Sequence, residues 1–349
     1  MWCCGNSNAP KPAGGRFCPG RFFPFRQAVC LVLVLLLLSG CSPQPVQLQL
    51  YAMDTMMDLK IWGAPDAAPE IEQEIHRLEQ QLSVTRADSL VSQLNDQQTV
   101  TLPPDIRELL AFTASLCEKT GGAVNPCLYP VTKLWGFTTG SYQVPTEEEI
   151  SQALSAVSIG NLHLQGEQAF LTHGAQLDLG AYAKGYAGQR AVSILQSHGA
   201  SGALLSLGGS VQTYGSKPDG SPWRIGIQDP FGGDMVGTLA LSGTWAVVTS
   251  GGYQRYFESE GVRYCHILDP ATGRPVSGDL ASVTIVAQSA LLADGLSTAL
   301  FVMGLEQACA YWRADPSFQA VLITQSGDIW VTSGLESSFS GSEFEVIAP

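Results

Sequence analysis

The sequence predicts an α+β fold in which a mainly antiparallel sheet is flanked by helices. Helix-periodic segments recur between residues 70 and 199, whereas short apolar segments separated by glycine-rich turns fill residues 202–287. The strand-like segments follow one another without helices between them, which is the order that hairpin connections produce. This order does not fit a simple doubly wound nucleotide-binding fold.

Helices are predicted where apolar residues recur at intervals of three and four. Segment 103–122 begins with two prolines and ends with two glycines, as helices often do. Segment 145–157 has Thr146 and Glu149 at the spacing of a capping box. In segment 70–82 one helical face collects the apolar residues Ile71, Ile75, Leu78 and Leu82.

The second half of the chain mixes strands with two further helical regions. Residues 169–179 alternate enough for a strand or hairpin that feeds a helix at 184–199. A long apolar helix is predicted at 289–304, with a shorter one at 305–314 and a closing hairpin at 320–334. The strand-like segments between these helices are residues 202–209, 223–229, 237–243, 244–252, 262–270 and 281–287.

The first forty residues have the composition of a secretory signal, with basic residues before the apolar run AVCLVLVLLLLSG. This run is too short to span a membrane comfortably. LSG before Cys41 is similar to a bacterial lipobox, in which the cysteine is diacylated and becomes the mature N-terminus. We expect residues 1–40 to be a lipoprotein signal peptide, 41–48 a tether and 49–349 the folded domain, lipid-anchored at the extracytoplasmic face of the membrane. An ordinary signal anchor is the alternative.

The mature chain is predicted to be strongly acidic. Residues 1–40 contain four basic residues and no acid, so their removal leaves 14 Lys and Arg against 31 Asp and Glu, a net charge of −17. Such a surface argues against nucleic acid as a partner, because nucleic-acid binding depends on cations that neutralise phosphates. An anionic ligand would need a local cation, supplied by a side chain or by a metal.

Four of the nine cysteines remain after the signal and Cys41 are set aside. They have neither CxxC nor zinc-ligand spacing, so they do not form a disulfide-rich scaffold, and their pairing stays open. These residues are Cys117, Cys127, Cys265 and Cys309.

The stretch LDLGAYAKGYAG, residues 177–188, places Asp178 and Lys184 among small and apolar residues. Small residues allow a backbone to approach a ligand closely, and a helix N-terminus attracts anions. The stretch therefore indicates an anion site at a strand-to-helix junction. The alternative is structural: Asp178 caps the helix, and the glycines and alanines only allow tight packing.

Asp294 and Thr298 are four residues apart, so they share one face of the apolar helix at 289–304. A buried carboxylate needs a partner, because an unpaired buried charge is costly. Oxygen ligands suit a hard cation such as Mg²⁺, which keeps some of its waters and often bridges to phosphates. A local Asp–Thr hydrogen bond is the alternative interpretation.

His266 lies at the end of a predicted strand. The ordinary pKa of histidine is near neutrality, so this residue is a possible general base, although a structural role is the alternative. Glycine pairs at 120–122, 207–209 and 250–252 are either phosphate-binding turns or turns without a ligand.

Taken together, these segments resemble the FAD:protein FMN transferases, the ApbE lipoproteins once tied to thiamine biosynthesis. The resemblance runs from about Tyr51 to the C-terminus and implies an ApbE-like (T-fold-like) flavin transferase domain. It rests on eight motifs in order: AMDT, SVTRADSLVSQLN, GGAVNPCLYPVTKLWGF, LDLGAYAKGYA, LLSLGG, VVTSGGYQRYF, HILDPATGRP and ADGLSTALFVMG.

The resemblance implies a role for individual residues. His266 matches the histidine that activates the acceptor hydroxyl, and Ser297 is a possible further contributor beside the metal ligands. The implied Mg²⁺ ligands are the Ala181 carbonyl, Asp294 and Thr298. The implied FAD-binding residues are Met53, Trp135, Gly136, Phe137, Asp178, Lys184 and Leu268.

The implied reaction is a Mg²⁺-dependent cleavage of FAD that attaches FMN through a phosphoester bond to a Thr or Ser of an acceptor protein and releases AMP. Acceptors in this family carry an approximate Ser/Thr-Gly-Ala-Thr motif. None occurs in this chain, so we expect a separate acceptor, a membrane-associated redox subunit. Two alternatives remain: an FAD pyrophosphatase that yields FMN and AMP, and a lipoprotein that binds flavin without chemistry.

Two motifs depart from the family pattern. The usual Met-Gly-Thr is Met-Asp-Thr at residues 53–55, and the usual Phe-Asp-Pro-Thr is Val-Asn-Pro-Cys at residues 124–127. The second departure removes a carboxylate and a hydroxyl from the expected cleft. We therefore expect substrate positioning to differ more than the reaction.

Overall fold

A nine-stranded sheet organises residues 44–349, which are the residues that the computed structural model describes. The strands of the chain are β1 (Val46–Ala52), β2 (Thr55–Trp62), β3 (Thr99–Thr101), β4 (Leu162–Gln165), β5 (Gln168–Leu171), β6 (Gly202–Leu207), β7 (Ser210–Gly215), β8 (Trp223–Gln228), β9 (Met235–Leu241), β10 (Trp245–Gly251), β11 (Tyr256–Ser259), β12 (Val262–Cys265), β13 (Leu268–Asp269), β14 (Arg274–Pro275), β15 (Leu280–Ala287), β16 (Gln319–Thr324), β17 (Ile329–Thr332), β18 (Phe339–Gly341) and β19 (Glu345–Ile347).

The main sheet has the order β1-β2-β6-β7-β10-β15-β16-β17-β19. Its neighbouring strands pair antiparallel, except that β17 and β19 run parallel. The remaining strands form two three-stranded sheets, β18-β9-β8 and β3-β5-β4, and two short ribbons, β11-β12 and β13-β14. The predicted α+β class with a mainly antiparallel sheet is confirmed.

The helices are α1 (Ala67–Leu82), α2 (Leu90–Gln97), α3 (Pro104–Lys119), α4 (Tyr129–Leu134), α5 (Glu147–Leu154), α6 (Ala183–Ser197) and α7 (Ala290–Ala314). The predicted apolar face of α1 is buried in full, and α5 begins with the predicted capping box at Thr146 and Glu149. Helix α7 is interrupted at Gly304, whose φ of 79° breaks the helix where two separate helices are predicted.

The core lies on both faces of the main sheet. All eight residues of β15 are buried, because helices cover one face of the sheet and β8, β9 and β18 cover the other. Alternating residues of β8 (Trp223, Ile225 and Ile227) pack on the second face. Burial on two faces explains why β15 is apolar at nearly every position instead of alternating.

The junction before α6 differs from the prediction. Of the strand or hairpin predicted at 169–179, residues 169–171 belong to β5 (Gln168–Leu171), and the segment 172–182 contains turns at 173–174 and 180–182 with an isolated bridge from Gln176 to Leu128. Asp178 does not cap the helix, because its Oδ1 accepts a hydrogen bond from the Gly180 backbone N–H at 2.8 Å, three residues before α6 begins. The local pattern missed this because a short turn and a strand end have similar apolar alternation.

The N-terminal predictions fall mostly outside the described residues. The signal peptide 1–40, the lipidation site Cys41 and the first part of the tether lie there. Strand β1 begins at Val46, so residues 46–48 belong to the sheet and not to the tether. Between residues 44 and 349, none of the helices has the length and apolar character needed to cross a membrane.

Candidate active site

A cleft of about 640 Å³ opens between the tip of the β1–β2 hairpin, the loop after α1, the starts of α6 and α7, and the connection from β12 to β13. A cavity of this size is in the usual range for small-molecule sites. The predicted site residues that line it are Met53, Phe137, Asp178, Ala181, Lys184, His266, Leu268, Asp294 and Thr298. Residues far apart in the sequence therefore meet at one place.

Asp294 and Gly185 join α7 to α6 at the inner wall of the cleft. The Gly185 backbone N–H donates to Asp294 Oδ2 at 2.7 Å. A Cβ at residue 185 would lie 2.4 Å from the Ala290 carbonyl oxygen and 2.6 Å from Asp294 Cβ. Only glycine therefore allows the two helices to approach closely enough for this hydrogen bond.

The Asp294 carboxylate is 4 % exposed. Burial raises its pKa, and the positive charge of Lys184 and the hydrogen bonds from the α6 backbone partly oppose this rise. The carboxylate thus stands in a place where its charged form is costly unless a cation accompanies it.

Hydroxyl groups extend the oxygen-rich wall beside Asp294. Ser250 Oγ, at the end of β10, lies 3.3 Å from Thr298 Oγ1 and 2.8 Å from Ser297 Oγ. Ser297 is fully buried, its hydroxyl donates to the Asp294 carbonyl oxygen at 2.8 Å, and it does not line the cleft. Of these three hydroxyl residues, Thr298 and Ser250 line the cleft; Ser250 lies in the predicted turn at 250–252, but a role for its hydroxyl was not predicted.

This donor set fits the expected hard cation. No three His, Cys, Asp or Glu side chains gather as a metal cluster between residues 44 and 349. A cation at the inner wall would have one carboxylate from Asp294, the Thr298 hydroxyl and a backbone carbonyl at Ala181. Such a sparse, all-oxygen set suits Mg²⁺, which retains waters and shares its coordination with substrate phosphates.

Asp178 lies in the segment before α6 and also lines the cleft. Its backbone N–H donates to the Pro126 carbonyl at 2.8 Å, which joins it to the segment 124–127. Burial raises the pKa of its carboxyl, and the Gly180 N–H, Arg255 and Lys184 oppose that rise. Asp178 and Lys184 are thus brought to one cleft, as the sequence predicts.

The departures at residues 124–127 have distinct structural consequences. Asn125 lines the cleft, and its Oδ1 accepts from the Cys127 backbone N–H at 2.9 Å, so the amide holds its own turn. Cys127 is fully buried, and burial raises the pKa of its thiol to about 12. All four cysteines among the described residues are free and buried.

His266 reaches the cleft with one ring nitrogen fixed. Its Nδ1 lies 3.0 Å from the Arg255 carbonyl oxygen, which makes Nδ1 the protonated nitrogen and leaves Nε2 as an acceptor. The ring of Phe137 packs edge-on at a centroid distance of 6.5 Å. Burial lowers the pKa of His266 to about 4, with further lowering by the positive charges of Arg255 and Lys184. The imidazole is therefore neutral near pH 7 and can accept a proton.

Trp135 and Gly136 lie behind the cleft instead of lining it. The Trp135 indole is 1 % exposed, donates from Nε1 to the Gly273 carbonyl at 2.8 Å and packs 5.5 Å from the Tyr264 ring. Gly136 has a φ of +84°, and a Cβ there would lie 2.1 Å from the Ser141 carbonyl oxygen. Both residues directly precede Phe137, which does line the cleft.

Three glycine pairs were considered as phosphate-binding turns, and one of them, Gly208–Gly209, lines the cleft. Ser250 of the third motif also lines it, whereas residues 120–122 do not. A Cβ on Gly208 would lie 2.2 Å from Thr55 Oγ1, so this turn must stay glycine to fit beneath the β1–β2 hairpin.

The sequence analysis did not identify Arg255 or Glu79 as residues of the cleft. Arg255 stands in the motif VVTSGGYQRYF, and its position in that motif is the signal that could have found it. Its partners are distant in sequence, so no local spacing indicates them. Within the cleft lining the basic side chains are Lys184 and Arg255, and the acidic ones are Asp54, Glu79, Asp178 and Asp294. The lining thus carries an excess of acid, and a polyanionic ligand would need an added cation.

The fold and the cleft define a class of protein. It is an α+β domain in which a buried carboxylate, hydroxyls, a lysine and a neutral histidine line one cleft large enough for a small-molecule ligand. Comparison with known families specifies the class further. The chain belongs to the ApbE family, whose family model matches residues 53–322.

Named relatives extend over most of the chain. A FAD:protein FMN transferase of Treponema pallidum is 35% identical over 289 residues, which span 77% of this chain and 80% of that protein. The FAD:protein FMN transferase of Klebsiella pneumoniae is 33% identical over 313 residues, covering 87% and 94% of the two chains.

Solved structures show the same fold. The ApbE protein of Thermotoga maritima superposes with a TM-score of 0.80 at 32% identity, covering 84% of this chain and 99% of that one. The apo form of the flavinyl transferase ApbE from Pseudomonas stutzeri has a TM-score of 0.77 at 32% identity, covering 86% and 98%. The expected ApbE-like architecture is therefore confirmed.

Proposed function

We propose that this protein is a Mg²⁺-dependent FAD:protein FMN transferase. The observation that carries the proposal is the meeting of Asp178, Lys184, His266, Asp294 and Thr298 in one cleft, in a chain whose relatives are named for this activity. These residues come from three segments that are well separated in the sequence. A cleft that only bound flavin would not need both a neutral histidine and a buried carboxylate in its lining.

In the proposed reaction the diphosphate of FAD lies between Lys184 and the Asp294 wall. Lys184 offsets phosphate charge, and Asp294, Thr298 and the Ala181 carbonyl hold the cation. Bound Mg²⁺ supplies charge neutralisation of the diphosphate and polarisation of the phosphorus. The surrounding aromatic and apolar residues, Phe137 and Leu268 among them, offer surface for the rings of FAD.

His266 is the proposed general base. Nε2 of its neutral ring takes the proton of an acceptor Thr or Ser hydroxyl, and the hydroxyl oxygen attacks the FMN phosphorus. A new P–O bond forms to the acceptor, the P–O bond of the diphosphate breaks, and AMP leaves. The lowered pKa of about 4 keeps the ring neutral, with Nε2 unprotonated, across the neutral range.

The acceptor is proposed to be a separate protein that carries a Ser/Thr-Gly-Ala-Thr-like motif, since this chain has none. We further propose that Cys41 is the lipidated mature N-terminus and that the enzyme acts at the extracytoplasmic face of the membrane. The LSG sequence before Cys41 supports this location, as does the expected partner, a membrane-associated redox subunit. Cys41→Ser should then release the protein from membranes or block its maturation. A variant processed and membrane-bound like wild type would contradict the lipid anchor.

The decisive experiment mixes the purified protein with FAD, MgCl₂ and a small acceptor domain that carries the tetrapeptide. The matched control is the same acceptor with the first residue of the tetrapeptide replaced by Ala and its final Thr replaced by Val, which removes both hydroxyls. A fluorescent acceptor band on a denaturing gel, absent for the control, is the expected result. Free AMP and FMN without labelled acceptor would indicate a pyrophosphatase, and unchanged FAD would indicate a binding protein; either result contradicts the proposal.

A further inference from the structure

The tip of the β1–β2 hairpin is held in an uncommon backbone conformation at the mouth of the cleft. Ala52 pairs with Thr55, so Met53 and Asp54 form the two-residue turn. Their φ angles are 51° and 60°, the left-handed values that a hairpin turn of this type requires at both positions. Asp54 occupies the position where the family pattern has glycine, the residue that adopts this conformation without strain.

The Asp54 side chain makes two contacts that a glycine could not make. Its Oδ1 accepts from the Tyr51 hydroxyl at 2.9 Å, and its Oδ2 lies 3.5 Å from Arg255 Nη1. The neighbouring Met53 N–H donates to Glu79 Oε1 at 2.7 Å, which ties the tip to α1. The hairpin tip is therefore fixed on one side by a helix and joined on the other side to Arg255.

Arg255 connects this tip to the proposed base. Its Nη2 donates to the Phe137 carbonyl at 2.8 Å, so the guanidinium spans from the hairpin tip to the loop after α4. Its own carbonyl oxygen accepts from the backbone N–H and from Nδ1 of His266, each at 3.0 Å. The carbonyl that orients the histidine thus belongs to a residue whose side chain is anchored at two separate places.

We propose that Asp54 and Arg255 are positioning residues, which together hold His266 with Nε2 towards the cleft. This inference rests on the proposed function, because it gives the orientation of His266 its role in transfer. Arg255 acts through its backbone carbonyl, and Asp54 acts through the Arg255 side chain. This pair of contacts, here called the Asp54–Arg255 clamp, is a feature that this chain adds to the family pattern.

The contacts of the Arg255 side chain favour a positioning role for this residue over phosphate binding. Both sides of the guanidinium already meet protein acceptors, the Phe137 carbonyl and the Asp54 carboxylate. Lys184 and Arg255 both line the cleft and both oppose the rise in the pKa of Asp178, but of the two only Lys184 also acts on Asp294 at the inner wall. A change at Arg255 should therefore alter the rate of transfer, whereas a change at Lys184 should alter the binding of FAD.

The test compares Arg255→Gln, Asp54→Asn and Asp54→Gly with wild type. Asp54→Asn removes the charge but tolerates the turn, and Asp54→Gly removes both contacts while relieving the backbone. Arg263→Gln is the matched control, because Arg263 pairs with Glu258 at 3.3 Å on the adjacent ribbon and does not line the cleft. Thermal melting confirms that each variant is folded, as expected for side chains that are 47% and 71% exposed at Arg255 and Asp54.

Two readouts are measured. Steady-state transfer gives kcat and the KM for FAD, and ¹⁵N spectra of histidine-labelled protein without FAD give the tautomer of His266, assigned with His266→Gln. We expect Arg255→Gln to lower kcat about tenfold, with the KM for FAD changed less than about twofold, because only the oriented base is lost. The two Asp54 variants should lower kcat about two- to fivefold, as expected for an exposed ion pair.

In the spectra, Arg255→Gln should reduce the fraction of His266 protonated at Nδ1, and Arg263→Gln should leave it unchanged. An unchanged tautomer together with an unchanged kcat would overturn the clamp. A raised KM for FAD at constant kcat would also overturn it, because Arg255 would then be a substrate-binding cation. Absence of transfer by wild type contradicts the proposed function instead, and the tautomer measurement still decides whether the clamp orients His266.

Discussion

The inner wall and the mouth of the cleft are built in opposite ways. The inner wall consists of Gly185, Asp294 and Thr298 on two packed helices, where the carboxylate is 4% exposed and glycine brings the backbones together. The mouth consists of the Asp54–Arg255 clamp and His266 on turns, where the ion pair is long, the Arg255 and Asp54 side chains are 47% and 71% exposed, and His266 is partly buried. Buried packing fixes the inner wall, whereas a few hydrogen bonds to exposed groups fix the mouth.

Because of this difference, substitutions in the two regions should affect folding stability and activity differently. A substitution in the inner wall changes helix packing and a buried charge at once, so it should affect both folding and activity. A substitution at the mouth touches exposed groups with small contributions to stability, so it should affect activity alone.

Asp294→Ala should remove transfer activity, because it deletes the carboxylate that would hold the cation. Asp294→Asn keeps the shape and should weaken cation binding, with activity partly recovered by excess Mg²⁺ or Mn²⁺ through mass action. Titrating Mg²⁺ against FAD turnover for wild type and Asp294→Asn measures this. Overlapping titration curves for the two proteins would contradict a metal role for Asp294.

Asp294→Asn should weaken cation binding but raise the folding stability of the metal-free protein. The folded-state pKa of Asp294 is raised by burial, so its contribution to folding is full below the ordinary aspartate pKa and is lost as pH rises through the raised value. In EDTA near pH 7, Asp294→Asn should therefore melt higher than wild type, and the gap should close as the pH is lowered. Thermal melts across pH with EDTA check this, and a wild type more stable than Asp294→Asn at pH 7 would contradict it.

His266→Ala should lower flavin transfer by roughly 10²–10⁴-fold, the usual effect of losing a general base, while FAD binding stays close to wild type. Because the pKa of His266 is lowered to about 4, wild-type transfer should be level near neutrality and fall only as the pH approaches that value. Rate measurements across pH, with the exposed His163→Ala as control, test this. A falling limb near the ordinary histidine pKa would contradict the neutral, enclosed ring.

Gly185→Ala should destabilise the fold by about 1–3 kcal/mol, because the added methyl overlaps the Ala290 carbonyl and pushes α6 from α7. It should also weaken Mg²⁺-dependent activity, since the N–H to Asp294 is displaced. Gly188→Ala is the matched control on the same helix: its Cβ would meet its nearest neighbour at 3.4 Å, an ordinary contact, and alanine favours helix. Denaturant unfolding of both variants is the measurement, and equal stabilities would contradict the close-approach argument.

Trp135→Phe has the smallest expected effect. It removes the indole hydrogen bond to the Gly273 carbonyl and should cost about 1 kcal/mol of folding stability, with the KM for FAD unchanged. Chemical denaturation and steady-state kinetics measure the two quantities. A raised KM for FAD at unchanged stability would instead support the flavin-binding role of Trp135 that the resemblance implies.

Much of the architecture could be predicted locally. The buried face of α1, the capping box of α5, the break at Gly304 and the closing hairpin follow from periodicity, caps and glycine positions. The turn before α6 was assigned in part to a strand, because apolar alternation over a few residues does not distinguish the two. The pairing of β1 with β2 was not predicted, and neither was the short helix α4.

Periodicity, charge and motif order are properties of the chain, so they indicate the fold class, the acidic character and the residue types that the chemistry needs. The folded protein adds that Trp135 packs near the cleft without lining it, that Ser297 is engaged in hydrogen bonds away from the cleft, and that Arg255 links Asp54 to His266. Each of those roles includes at least one contact between residues 47 to 201 positions apart, which no local spacing encodes. Packing brings such residues together, and the resulting burial sets the pKa values of Asp294 and His266 on which the proposed chemistry depends.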